Sequence, residues 1–357
     1  MAPTSAAPCS HPAAGATGTG KWDNFDKGRD SMKRGLPDDT TVQAALALAG
    51  RAPSVHNVQP WRWRIADHSI HLYLDPQRAL PVTDPDHRDI VISCGAALHH
   101  LAVALAALGR APVIHRIPDP AEPNHLAALT LVPRRPTALD IELSTSIGRR
   151  RTDRRHYTSW PIPSGYLGLF SERAAAHGAV LRRIEDRESV QAAFRAASRV
   201  HANDHAYRFE LAMWSGRPGS VDGVPARNTV LPNVADEFPT REFAAAGLTD
   251  PATQPDYAEL LLIGTSADDR VSRLRAGEAI SSVLLTATGI GLATCLLTEP
   301  LELADQRATI RAELLHDTAH PQAMLRVGWA PTSGEVLPET PRRPLGDLLL
   351  IDDEVPR

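Results

Sequence analysis

The most regular apolar pattern in this chain occurs twice. From residue 88 to about residue 108, and again from residue 270 to about residue 290, small and aliphatic residues recur at the spacing of a buried helix, and a glycine ends each run. A single offset of 182 positions relates the two. It carries Asp86-His87-Arg88 onto Asp268-Asp269-Arg270, Gly95 onto Gly277, Ala97 onto Ala279, Leu101 onto Val283, Gly109 onto Gly291 and Ala111 onto Ala293. Strand-like runs at 70–74 and 260–263 precede the helices, and runs at 113–117 and 293–297 follow them. Two Ala/Leu-rich helices can match by chance, but a preserved glycine spacing and a shared D-x-R entry point to an internal duplication.

The other elements sort around that core. Asp38, Asp39 and Thr40 can cap a helix that runs to Ala49 and stops at Gly50. Residues 62–65 and 71–74 read as a hairpin, 125–132 as a strand and 141–151 as a helix. Helix is also predicted over 189–198, extending toward Trp214, and a last strand over 325–328. The pattern gives an α+β chain in three parts: a disordered tail over 1–35, a first half over 36–140 and a second half over 141–357. Residues 218–256 are rich in Pro, Gly and Asp with little periodicity, and a stretch that long is expected to be a lid-like insert of the second half.

Composition narrows the chemistry. The net charge is −4 with 22% charged residues, which gives no general drive toward nucleic acid or membrane. Lysine occurs only at Lys21, Lys27 and Lys33, so the body of the chain has neither a Schiff-base lysine nor a phosphate-loop lysine. Cys9, Cys94 and Cys295 are far apart, which fits a reducing, cytoplasmic compartment better than a disulfide framework. The apolar run at 91–108 is interrupted by His99 and His100 and is no membrane span by this reading. Gly15, Gly18 and Gly20 imitate a phosphate loop without a preceding strand. The pairs His201/His205 and His316/His320 have helical metal spacing but lack the glutamate of H-E-x-x-H, so no metal is expected.

Two segments carry candidate chemistry. Five arginines fall within residues 149–155, in Arg149-Arg150-Arg151-Thr152-Asp153-Arg154-Arg155. Such a run can be a solvated helix end or a nucleic-acid patch, but it lacks aromatic interleaving, and guanidinium forks around a hydroxyl suit a phosphate. Earlier stands Pro53-Ser54-Val55-His56-Asn57-Val58-Gln59-Pro60-Trp61. Its plain reading is a helix-to-strand turn with Trp61 in the core and Ser54 or Asn57 satisfying backbone groups.

Together these segments resemble the nitroreductase superfamily, and more closely the Acg-type NAD(P)H nitroreductases, in which two nitroreductase-like halves are fused in one chain. The resemblance covers most of the chain after about residue 36. It implies a nitroreductase-like fold, with the two homologous halves forming an intramolecular pseudo-dimer, and FMN as cofactor. By resemblance Arg150, Thr152 and Arg154 are phosphate ligands, with Arg151 nearby; Thr152 replaces the family's serine and keeps the hydroxyl. Pro53, Ser54, Asn57 and Gln59 would shape and line the flavin site. Leu297 and Thr298 would offer a backbone N–H to flavin N5. A terminal arginine would join the phosphate cage, Arg343 being the closer match and Arg342 the other candidate.

The halves differ. The first has the P-S-x-x-N-x-Q-P-W turn and no arginine motif before it; the second has the arginine motif and, after Pro163, no such turn. That predicts one FMN per chain in a monomer. The implied reaction is hydride transfer from NAD(P)H through flavin N5 to a nitroaromatic or quinone-like acceptor, with no catalytic side chain required. The competing expectation is a protein that stores or sequesters flavin with little turnover, and a more distant one is an interaction module built on the arginine run.

Overall fold

In the computed structural model the described residues are 36–231, 236–238, 241–252 and 254–350. The tail over 1–35, with its glycine-rich look-alike, lies outside them.

Two four-stranded antiparallel sheets organise the chain. In the first half, helix α1 (Asp39–Ala49) leads through the Pro53–Trp61 turn into β1 (Trp61–Ile65) and β2 (Ile70–Leu74). Helix α2 (Arg88–Ala107), β3 (Arg110–Arg116) and β4 (His125–Pro133) follow, and α3 (Ala138–Arg149) spans the boundary expected at residue 140. The second half runs α4 (Ser164–Ala175), β5 (Ala179–Arg183), α5 (Arg187–Asn203), α6 (His205–Met213) and β6 (Glu259–Thr265). It ends with α7 (Arg270–Gly289), β7 (Ala293–Leu297), α8 (Glu299–Glu302), α9 (Ala304–Leu315), β8 (His320–Gly328) and α10 (Leu345–Leu348). The strand orders are β1-β2-β4-β3 and β5-β6-β8-β7, one topology used twice. The register repeats too: Ala111 faces Val132, and Ala293, its counterpart, faces Gly328.

The duplicated helices α2 and α7 pack on each other at the centre, and the conserved spacing of their glycines has a steric cause. A Cβ on Gly95 would lie 2.0 Å from the Leu274 carbonyl oxygen; a Cβ on Gly277 would lie 1.9 Å from that of Ile92. Leu274 is the counterpart of Ile92, so the clash is reciprocal about a pseudo-twofold axis through the crossing. Helix α2 is the one described helix long and apolar enough to span a membrane, and 89% of that stretch is buried inside the protein. His99 and His100, which interrupt its apolar run, both bond the Ser281 hydroxyl of α7, at 2.7 and 2.8 Å.

Some elements differ from the sequence reading. The helix expected from 189 toward Trp214 breaks at Asp204, whose extended backbone ends α5 and whose carboxylate caps α6 by accepting from the Ala206 and Tyr207 amides at 2.8 and 3.1 Å. The last strand begins at His320, five residues earlier than the apolar run. Helix α4, strand β5 and helix α9 were not legible: two are mixed in composition, and β5 is a short edge strand with two arginines.

Candidate functional site

A cleft enclosing about 1250 Å³, including its open mouth, lies where the two halves meet. Both duplicated helices supply its walls, through Ile92, Ser93 and Ala96 of α2 and Ile280 of α7. The sequence-predicted segments converge on it. Pro53, Ser54 and Asn57 come from the turn, Arg150, Thr152 and Arg154 from the end of α3, Leu297 and Thr298 from the end of β7, and Arg342 from the terminal arm.

The turn is held in an unusual backbone. His56, Asn57 and Gln59 all have positive φ, at 44°, 55° and 51°. Non-glycine residues rarely adopt that region, and surrounding structure has to impose it. Here it does. The Ser54 hydroxyl accepts the Gln59 amide at 3.0 Å, and the Ser93 hydroxyl of α2 accepts the Val55 amide at 3.0 Å. The Asn57 amide nitrogen donates to the Gly223 and Pro341 carbonyls at 3.0 and 3.2 Å, while its carbonyl oxygen is buried without a protein partner.

Arg150, Arg154 and Arg342 gather in the cleft, and none of the three forms an ion pair among the described residues. Arg150 is 6% exposed, and among the described residues no side-chain bond to it is found. Burial first, then the Arg151 and Arg51 guanidinium groups, pushes its pKa down to about 10. Burial, then Arg150 and Arg51, pushes Arg342 down to about 9. Buried cations in such a state call for an anion, because desolvation without a partner is costly. Arg342 is otherwise held by backbone carbonyls, including those of Arg51 and Ala52 at 3.2 and 3.1 Å. Arg154 donates to the Asn228 carbonyl at 2.9 Å and lies over the Phe243 ring at 5.0 Å.

Three expected residues lie elsewhere. Arg151 turns outward, bonding the Gly148 and Arg150 carbonyls at 2.8 and 2.9 Å. Gln59 is buried behind the turn, where it donates to the Val221 carbonyl at 3.0 Å and accepts the Arg343 amide at 2.9 Å. Arg343, the closer motif match, points to Asp75 at 3.8 Å and to the Asp347 carbonyl at 2.9 Å, so its neighbour Arg342 takes the cleft position. Adjacent arginines on an extended arm face opposite ways, and the sequence alone does not say which faces in. Arg155 completes the run structurally, paired with Asp153 at 2.7 Å.

The cleft also borders a buried polar network that the sequence did not announce. Arg241, from within 218–256, pairs with Glu302 and donates to the Thr298 hydroxyl at 3.0 Å, the Tyr207 hydroxyl at 2.8 Å and His56 Nε2 at 3.1 Å. His56, Thr298 and Arg241 face the cleft. Burial, then Arg241, holds His56 well below its ordinary value, so it is neutral. Nothing in a lone arginine within an aperiodic stretch marks it in advance. Among the described residues no group of three or more His, Cys, Asp or Glu could hold a metal ion.

The 182-residue offset places Glu278 where Ala96 lines the cleft and Arg116 where Thr298 does. These two side chains form a bidentate pair at 2.7 and 2.8 Å.

No family model matches the chain. Relatives are clear. A Mycobacterium tuberculosis protein named "Putative NAD(P)H nitroreductase Rv3131" is 47% identical over 334 residues, 93% of this chain and 97% of the relative. Another from the same organism, "Putative NAD(P)H nitroreductase acg", is 36% identical over 313 residues, 86% of this chain and 94% of the relative. Among solved structures, an FMN-bound nitroreductase from Bacteroides fragilis aligns with TM-score 0.37 and 14% identity, covering 56% of this chain and 94% of its own. The FMN- and NADPH-dependent nitroreductase NfnB from a Sphingopyxis strain aligns with TM-score 0.36 and 20% identity, covering 58% of this chain and 96% of its own.

Proposed function

The chain belongs to the Acg-type NAD(P)H nitroreductase family, and from that membership we propose that it binds one FMN in the inter-half cleft and works as an NAD(P)H-dependent oxidoreductase of nitroreductase type. The observation that carries the reading is the unpaired Arg150, with Arg342 beside it, in the cleft between the halves. A phosphate monoester carries roughly −1.5 to −2 charge at neutral pH, which two guanidinium groups balance.

Arg150, Arg342 and the Thr152 hydroxyl would hold the phosphate, with Arg154 alongside. Ser54 and Asn57 would meet the ring or ribityl chain, and the free Asn57 carbonyl oxygen is an acceptor waiting for a donor. Leu297 and Thr298 would border the ring's reactive edge. Bound FMN supplies the hydride chemistry, passing two electrons from a nicotinamide to a nitroaromatic or quinone-like acceptor. The protein's share is orientation, and His56, being neutral, adds no charge there. The Arg116–Glu278 pair at the positions that correspond to Thr298 and Ala96, with the asymmetry of the two sequence motifs, supports a stoichiometry of one.

The second reading, flavin storage with little turnover, has its own observation. Val224, Pro225, Asn228, Arg241 and Phe243, all from within 218–256, wall the same cleft and so restrict entry. One experiment addresses both. Apoprotein titrated with FMN should saturate at one equivalent and, mixed anaerobically with NADH or NADPH, bleach at 450 nm (about the usual oxidised-flavin band) within a turnover time of seconds. Binding without bleaching selects storage. Two equivalents, or none, ends the proposal.

A further inference from the structure

The cleft does not stop at Arg150 and Arg342. These two and Thr340 also wall a second, tighter hollow beside it, about 230 Å³ with its opening to solvent included and closely filled by its own side chains. Arg51 and Arg151 complete it, with Glu339 as the carboxylate among its lining residues. Four guanidinium groups therefore surround it.

Glu339 pairs with Arg51 and lies 3.9 Å from Arg151. If the inner phosphate balances Arg150 and Arg342, Glu339 offsets only one of the two outer arginines. The Nε atoms of Arg51, Arg150, Arg151 and Arg342 are all buried without a protein partner. The outer side is open: Arg51 and Arg151 are 28% and 25% exposed, and Glu339 is 54% exposed on an irregular arm. An exposed carboxylate on such an arm is easily displaced, since exposed ion pairs contribute little. Arg51 also adds to the repulsion felt by both inner arginines, an arrangement a single phosphate leaves partly unrelieved.

We propose that this hollow is a second anion subsite, which takes a phosphoryl group adjoining the cofactor phosphate, with Glu339 standing in for it. The inference rests on the FMN reading of the inner pair. The ligand chemistry is a second phosphoryl group, either tethered as in a flavin dinucleotide or free as inorganic phosphate.

Flavin-fluorescence titrations distinguish the sources. Wild type is titrated with FAD, with FMN, and with FMN in millimolar inorganic phosphate against chloride at equal ionic strength. The double variant Arg51→Gln/Arg151→Gln and Glu339→Gln are titrated in parallel. For a tethered group, FAD binds within about tenfold of FMN, the double variant loses about tenfold or more on FAD and less than about threefold on FMN, and Glu339→Gln tightens FAD. For a free group, phosphate tightens FMN saturably and the double variant abolishes that effect. The near-normal FMN affinity reports that the variant is folded. The subsite is refuted if FAD binds more than about a hundredfold weaker than FMN while phosphate only competes, or if the double variant weakens FMN and FAD equally. Failure of wild type to bind FMN at all would instead strike the function proposed above.

Discussion

At the scale of single residues, affinity and stability pull Arg150 in opposite directions. Its guanidinium is buried with no protein anion opposite it, so it costs stability in the ligand-free protein, and under the proposed function a bound phosphate would offset that cost. Arg150→Met keeps the apolar stem and removes the charge. We expect FMN affinity to fall by about 1.5–3 kcal/mol, the scale of a lost charged hydrogen bond. Riboflavin, without the phosphate, should bind nearly as before, while the melting temperature of the apoprotein rises. A variant that loses both ligands equally, or one whose apoprotein melts lower, would show that Arg150 is structural. The arginine run was legible as a cluster of cations around a hydroxyl, and the structure brings Arg150, Thr152 and Arg154 of it to the cleft. Which arginines face inward was not legible: Arg151 and Arg343 turn away because backbone direction, set by Pro341, Pro344 and the end of α3, decides it.

At the scale of elements, the crossing of α2 and α7 fixes the relation between the halves, and with it the cleft. Glycine within a helix ordinarily costs about 0.5–1 kcal/mol relative to alanine. At Gly168 in α4, where a Cβ meets nothing within 4 Å, Gly168→Ala should therefore stabilise by about that amount. At Gly95 or Gly277 the sign should reverse, because the methyl would enter backbone of the facing helix. Overpacking of this kind costs roughly 1–3 kcal/mol, and backbone yields less than a side chain. Chemical denaturation of the three variants tests the contrast, and a stabilised Gly95→Ala protein would disprove the tight crossing. This spacing is also why so much of the fold was readable. Helix period, a glycine at the crossing and a left-handed glycine after each helix (φ 81° at Gly109, 90° at Gly291) are local signatures, and duplication prints them twice. Helix α9 and strand β5 have no such signature: they rest against the core through few residues, so their patterns are mixed.

At the scale of the whole molecule, the described residues within 218–256 have specific anchors beside the cleft. The turn holds this segment at one end through Asn57 to Gly223 at 3.0 Å and Gln59 to Val221 at 3.0 Å. Arg241 holds it further on through Glu302, Thr298, Tyr207 and His56. Residues expected to shape the flavin site thus also tie down the segment that lines the cleft. Removing Arg241 alone would strand the buried Glu302 carboxylate, which burial already raises to about 8 against the pull of Arg241, and the damage could spread. The double variant Arg241→Ala/Glu302→Gln removes the pair without leaving a charge. If the segment is a lid, this variant should keep one FMN, because no phosphate ligand is touched. Its flavin should then be reduced severalfold faster than the parent's, by NAD(P)H and by the small reductant dithionite, since lid opening commonly limits such sites. Stopped-flow absorbance reads both rates. Acceleration with dithionite alone would mean that access was limiting but the nicotinamide still lacks a seat, which favours storage. Unchanged rates for both reductants, in a folded variant that retains FMN, would mean that residues 218–256 line the cleft without gating it.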